Sequence, residues 1–177
     1  MTRLQRIYII GSRGCGKTSV GGGLAGHLGW KFIDTDELLC STAERTVSEI
    51  VEADGWDTFR DYESEALVSA SKTAQSVIAT GGGMVLRKQN CSFMREHGLV
   101  VFLDVPAEEL GRRLSTDPLD AQRPSLTGKS MVDEVREVLT ERMPLYTECA
   151  HVRIDGSQSV RKIIDNIVEL LETKSDS

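Results

Sequence analysis

Ile7-Tyr8-Ile9-Ile10-Gly11-Ser12-Arg13-Gly14-Cys15-Gly16-Lys17-Thr18 is the stretch on which the fold turns. Four apolar residues in an unbroken run suit a strand buried on both faces. The next eight match GxxxxGK[ST] in full, and the residues after them have a helical pattern. Strand, glycine-rich loop and helix in that order are the context of a phosphate-binding P-loop. The glycines let successive backbone N–H groups turn inward on phosphate oxygens, and the helix N-terminus adds partial positive charge. Lys17 is expected to neutralise β- and γ-phosphate oxygens, and the Thr18 hydroxyl to ligate Mg2+. Arg13 and Cys15 occupy variable positions of the loop. Arg13 could touch phosphate or stay in solvent, and Cys15 beside a helix N-terminus could be sensitive to oxidation.

Outward from this motif the chain repeats the same alternation. Runs at 6–10, 31–35, 76–80, 99–105 and 151–155 read as buried strands. Helical patterns lie at about 17–29, 46–54, 56–71, 87–97, 106–116, 132–149 and 159–173. Thr46 and Glu49 have capping-box spacing, and Pro106 suits the start of a helix. The pattern predicts an α/β fold with a mostly parallel sheet covered on both faces. At 177 residues the chain fits a single domain, 1–177, long enough to bury a core without disulfides. A net charge of −6 argues against a protein that coats nucleic acid. No apolar run is long enough for a signal-peptide core or membrane span. Cys15, Cys40, Cys91 and Cys149 are scattered without metal-site spacing. The expectation is a soluble, cytoplasmic, monomeric protein that binds neither nucleic acid nor membrane.

Two stretches interrupt the pattern. Ser115 to Ser130 is polar with two prolines, and a loop of that length is usually a lid or disordered. Gly21-Gly22-Gly23 falls inside the first helix, where each glycine costs about 0.5–1 kcal/mol against alanine; close packing on the sheet is the expected reason.

The second strand ends Phe32-Ile33-Asp34-Thr35-Asp36. Strand alternation would put Asp34 and Asp36 on one face, at the carboxyl edge where open α/β sheets bind ligands. One could hold Mg2+ while the other accepts a proton from an attacking hydroxyl; alternatively, Asp36 caps a helix. Arg60 and Glu63 fall on the apolar stripe of Trp56, Phe59 and Leu67, and Arg142 on that of Val135, Val138, Leu139 and Tyr146. Charges there are costly unless paired. Two such arginines suggest an anionic guest, and a carboxylate fits the guanidinium fork. Pro144 is expected to kink or restart the Arg142 helix. Gly81-Gly82-Gly83, at the end of the third strand, would bring backbone N–H groups close to a ligand. Arg123, in the long polar loop, could arrive over a transferring phosphate when a lid shuts.

Taken in order, Gly11–Thr18, Asp34-Thr35-Asp36, Phe59-Arg60-x-x-Glu63, Gly81-Gly82-Gly83, Arg123-Pro124-x-Leu126 and Glu141-Arg142-x-x-Leu145-Tyr146 resemble the shikimate kinase family across nearly the whole chain. The resemblance implies a P-loop, nucleoside-monophosphate-kinase-like fold: a five-stranded parallel sheet of order 2-3-1-4-5 flanked by helices. It implies a substrate-binding segment at about 36–71 and a lid at about 115–130. ATP would be held by Gly14, Cys15, Gly16, Lys17, Thr18 and Ser19, with Arg123 on the γ-phosphate and Arg113 on adenine; Arg112 is the rival for the adenine position. Mg2+ would sit at Thr18 and Asp34. Shikimate would be held by Asp36, Arg60, Glu63, Gly82 and Arg142. Asp36, Lys17 and Arg123 would be the catalytic groups, in phosphorylation of the shikimate 3-hydroxyl on the route to chorismate and the aromatic amino acids.

Two other readings stay open on the residues alone. Gluconate is also an anionic polyol, so a gluconate-type kinase would use similar groups. A nucleotide-binding module without turnover would keep the P-loop, although a degenerate kinase would normally lack Asp36, Arg60 or Arg123. A guanine-reading Asn-Lys-x-Asp is absent, and an adenylate-type kinase would need a more basic lid.

Overall fold

The computed structural model describes residues 4–117 and 128–175. Five strands, β1 (Arg6–Ile10), β2 (Lys31–Asp34), β3 (Ser76–Ala79), β4 (Leu99–Asp104) and β5 (Val152–Asp155), form one sheet. Its order is β2-β3-β1-β4-β5 and every neighbouring pair is parallel. Ile7 to Ile10 are wholly buried, as are Val77, Ile78 and Val100. Helices cover both faces, which is why these strands are continuously apolar rather than alternating. β1 is central, so its carboxyl end lies at the point where the strand order reverses, the usual ligand edge of such sheets.

The helices are α1 (Lys17–Leu28), α2 (Thr35–Ala43), α3 (Val47–Ala70), α4 (Lys88–His97), α5 (Ala107–Thr116), α6 (Met131–Cys149) and α7 (Val160–Ser175). A single 3-10 turn, Met84–Leu86, follows β3. Thr46 and Glu49 close the expected capping box at the start of α3. Gly55 interrupts α3 with φ 83 and ψ 171, a conformation open essentially to glycine, and it marks the expected break between two helical runs.

Three expectations are corrected. The chain does not stay extended to Asp36: β2 ends at Asp34 and α2 begins at Thr35. Strand alternation therefore does not relate the two aspartates. Nor does Asp36 cap the helix. Asp34 is the N-cap, its Oδ1 accepting from the N–H groups of Asp36 (2.9 Å) and Glu37 (3.2 Å). Finally, α6 passes through Pro144 without a break. Pro144 and Thr140 are both exposed, so the carbonyl deprived of its donor faces water.

The glycine run in α1 has a packing reason at two of its three positions. A Cβ on Gly21 would stand 2.6 Å from the Phe32 ring of β2, and one on Gly23 2.6 Å from Ile164 Cδ1 of α7. The missing side chains let α1 sit close to both neighbours. A second, smaller apolar cluster, Leu39, Ile50, Phe59 and Ala66, holds α2 against α3 beside the main core. Among the described residues no helix is long and apolar enough to cross a membrane.

Candidate active site

The P-loop bends at Gly11, Gly14 and Gly16, all at positive φ (150, 81 and 98°). Gly16 is the N-cap of α1 and no side chain caps that end. The first N–H groups of the helix are thus directed into the loop, as anion binding requires. Lys17 Nζ donates to the carbonyls of Gly11 (2.8 Å) and Ser12 (2.9 Å). The ammonium is folded over the loop it would share with phosphate oxygens. Thr18 and Ser19 are exposed in the first turn of α1. Cys15 is buried, 1 % exposed, so its neighbours shield it from oxidants, contrary to expectation. Arg13 points neither to open solvent nor along the loop. It lines the cleft described below, and its Nη2 meets Met131 Sδ at 3.4 Å.

Thr18 Oγ1 donates to Asp34 Oδ2 at 3.0 Å. One carboxylate therefore serves two purposes: Oδ1 caps α2 and Oδ2 meets the P-loop threonine. Two hard oxygens so placed suit Mg2+, which takes one or two protein ligands and completes its shell with phosphate and water. No group of three or more His, Cys, Asp or Glu among the described residues could hold a metal ion.

Next to the loop lies a cleft with charged ends and apolar walls. Asp36, Arg60, Glu63, Gly82, Gly83 and Arg142 all line it, with Trp56, Phe59, Val135 and Val138 between them. Arg60 Nη1 donates to Glu63 Oε2 at 2.5 Å. The Arg60 guanidinium also lies 5.2 Å from the Trp56 ring centroid and 5.3 Å from that of Phe59. A buried ion pair flanked by two rings fixes the arginine at the wall of the cleft. Glu63 is only 2 % exposed. Burial pushes its carboxyl above the usual range and the nearby Asp36 charge adds to this, while Arg60 and Arg142 oppose it.

The three glycines after β3 are where these side chains converge. A Cβ on Gly81 would stand 2.6 Å from Glu63 Oε1 and 2.7 Å from Asp36 Oδ1; one on Gly83 would stand 2.5 Å from Arg60 Cζ. A Cβ on Gly82 would meet the Arg13 backbone nitrogen at 3.3 Å and Arg142 Nη1 at 3.7 Å. The turn is bare because charged side chains occupy the space. Gly81 N–H is already bound to Thr35 Oγ1 (3.2 Å), and the Gly82 carbonyl accepts from Tyr146 Oη (2.6 Å).

Arg113 and Arg112 part company. Arg113 Nη1 donates to the Gly14 carbonyl (3.4 Å) and Nη2 to that of Gly156 (3.3 Å). Arg112 is 68 % exposed and pairs with Glu109. Glu109 also holds Arg113 Nε at 2.9 Å, and the two guanidiniums hold its carboxyl at about 2. Only Arg113 borders the P-loop. Arg123, with Pro124 and Leu126, lies outside the described residues, as does most of the expected lid.

Glu134 was not anticipated. It is 7 % exposed and lines the cleft from the first turn of α6. Its signal was the series Glu134, Val138, Arg142 at i, i+4, i+8, a single helix face read instead from its apolar members.

A family model described as shikimate kinase matches residues 13–172. The chain is 48% identical over 169 residues to "Shikimate kinase 2" of Yersinia pestis, covering 94% of this chain and 95% of that protein. The chain belongs to the shikimate kinase family. The structure of the shikimate kinase from Acinetobacter baumannii in complex with shikimate superposes with a TM-score of 0.90 at 34% identity, over 97% of this chain and 95% of that one. A gluconokinase from Sinorhizobium meliloti reaches 0.58 at 16% identity, over 97% of this chain and 94% of that one. That likeness shows the shared fold alone.

Proposed function

We propose that this shikimate kinase transfers the γ-phosphoryl group of ATP to the 3-hydroxyl of shikimate, yielding ADP, shikimate 3-phosphate and a proton. The observation that carries the reading is the cleft itself. Arg60 and Arg142, and the carboxylates of Asp36, Glu63 and Glu134, line a space that also takes in Ser12 and Arg13 of the P-loop. An acid with a compact ring fits it: guanidinium forks for the carboxylate, apolar walls for the ring, and Asp36 for a hydroxyl turned toward phosphate.

Arg60 and Arg142 hold the carboxylate at the far end, with the Gly82 N–H beside them. Glu63 holds Arg60 in aim and stands by the ring hydroxyls. Asp36 accepts the proton of the 3-hydroxyl, or orients it, as the oxygen attacks in line. Lys17 and the loop N–H groups from Gly14 to Ser19 neutralise phosphate charge, and Arg113, whose guanidinium reaches the Gly14 carbonyl, would stack on adenine. Thr18 and Asp34 would hold Mg2+, which supplies charge neutralisation at the β- and γ-phosphates. Arg123 is proposed, from the sequence, to reach the γ-phosphate and help exclude water.

ADP release from ATP with added Mg2+ tests the acceptor. Shikimate, gluconate and AMP are compared with a blank holding no acceptor. Release with shikimate alone is the expected result. Release with gluconate in its place would retain the phosphate site and overturn the acceptor.

A further inference from the structure

The acid cleft draws on the ends of β2 and β3, through Asp36, Gly82 and Gly83. The P-loop follows β1, the next strand of the sheet, and beyond it come β4 and β5. A nucleotide with its phosphates in the loop and its acceptor over β2 and β3 must therefore lay its base on the β4–β5 side. Arg113 stands there. It belongs to α5, which follows β4, and its guanidinium spans the Gly14 carbonyl of the loop and the Gly156 carbonyl just after β5.

Each of the three guanidinium nitrogens has an N–H engaged: Nη1 on Gly14 (3.4 Å), Nη2 on Gly156 (3.3 Å) and Nε on Glu109 Oε1 (2.9 Å). Guanidinium N–H bonds lie in the plane of the group, so these three partners set that plane. The two carbonyl contacts are long. The short contact, and the one of the three made to a charge, is Glu109. Glu109 is itself held by Arg112, whose Nε meets Oε2 at 2.9 Å and whose Nη2 meets Oε1 at 2.6 Å. With an N–H of every nitrogen engaged, Arg113, 27 % exposed, offers a ligand its flat face, and a guanidinium face stacks on an aromatic ring.

We infer that Glu109 is a positioning residue for the nucleotide base: it fixes the Arg113 guanidinium so that the base meets its face and not its N–H edge. The inference rests on the proposed function, in which Arg113 stacks on adenine. Contact through a face reads no base edge, so the pair contributes equally to adenine and guanine. The competing role for Glu109 is that of a first-turn carboxylate, which steadies α5 through the helix dipole alone.

Calorimetric titration of the full chain, with Mg2+ and no acceptor, tests this independently of what the enzyme phosphorylates. Glu109→Ala should weaken ATP and GTP alike, by about 2- to 5-fold. It should leave the affinity for inorganic tripolyphosphate, which has no base, unchanged. Arg113→Ala should weaken ATP at least as much, and the double variant should bind ATP no more weakly than Arg113→Ala alone. Equal losses for ATP and tripolyphosphate, or a fall in Tm with ATP affinity kept, would assign Glu109 to the stability of α5 and overturn the inference. Additive losses in the double variant would overturn it as well, because Glu109 would then act without Arg113. Full ATP affinity in Arg113→Ala would overturn the placement of adenine in the proposed function, and the inference with it.

Discussion

Tyr146 Oη donates a 2.6 Å hydrogen bond to the carbonyl oxygen of Gly82, joining the helix that carries Arg142 to the turn between the P-loop and the acid-lined cleft. Tyr146 is 1 % exposed and stacks on Phe102 of β4 with ring centroids 5.0 Å apart. It is thus anchored in the core at one edge and bound to the site at the other. Burial raises its hydroxyl above the usual phenol range, so it stays a donor throughout the neutral range.

Removing that hydroxyl separates positioning from packing. Tyr146→Phe keeps the ring and its stacking but leaves the Gly82 carbonyl without this donor. A hydrogen bond worth about 1 kcal/mol corresponds to roughly 5-fold in binding. Steady-state kinetics should show the KM for shikimate raised by about that factor, with the KM for ATP unchanged. Equal rises in both constants would mean that the bond holds the whole sheet edge rather than the acid cleft.

Gly83→Ala should act on Arg60 without unfolding the protein. The new methyl group collides with a guanidinium, the far end of a flexible side chain, which can swing aside. Thermal denaturation should show a moderate fall in Tm as the buried Arg60–Glu63 pair is disturbed, while the KM for shikimate rises at least tenfold as Arg60 leaves the wall of the cleft. A large fall in Tm with normal KM would place the role of Gly83 in the backbone turn.

Glu63 predicts a pH dependence of stability. Its carboxyl is raised above the ordinary value of 4.5 in the folded chain. The folded state therefore holds this proton more tightly than the unfolded state does. The associated stability is fully present below about 4.5 and is lost as pH rises through the folded value. Glu63→Gln removes this dependence. The difference in unfolding free energy, wild type minus variant, should therefore fall as pH rises from 4 to 8 in denaturant titrations. A difference that grows with pH would show that Arg60 outweighs burial.

Asp36→Asn tests the proposed proton acceptor. The amide keeps the size of the carboxylate and can still contact a hydroxyl, but it cannot take the proton. Turnover should fall by about 10²–10⁴-fold, with nucleotide affinity retained in calorimetric titration. Near-normal turnover would remove Asp36 from proton transfer and orientation alike.

What could be read in the sequence followed from local chemistry. β1 and the P-loop were legible because a double-sided buried strand and three glycines leave unambiguous marks. Arg60, Glu63 and Arg142 were legible as charges on apolar stripes. The Asp34–Asp36 segment was misread because period-two alternation continues on paper across Thr35, whereas the Asp34 side chain nucleates a helix there. Asp36 consequently reaches the cleft from a first helical turn. The glycine triplet was read as N–H groups for a ligand; that Gly81 and Gly83 also make room for Glu63, Asp36 and Arg60 is an arrangement between distant segments that no local pattern encodes. Glu134 was missed for a similar reason, since a carboxylate in a first helical turn looks like an ordinary dipole partner.

The central claim is that phosphate is delivered to one hydroxyl of one acid, and the product's own spectrum tests it most directly. Protein, ATP, Mg2+ and shikimate are incubated, and the product is examined by phosphorus–proton correlated NMR. Besides the resonances of ADP, the account predicts one new phosphorus resonance, coupled to the proton on C3 of the shikimate ring. Coupling to a proton on another ring carbon, or inorganic phosphate as the sole product besides ADP, would contradict it.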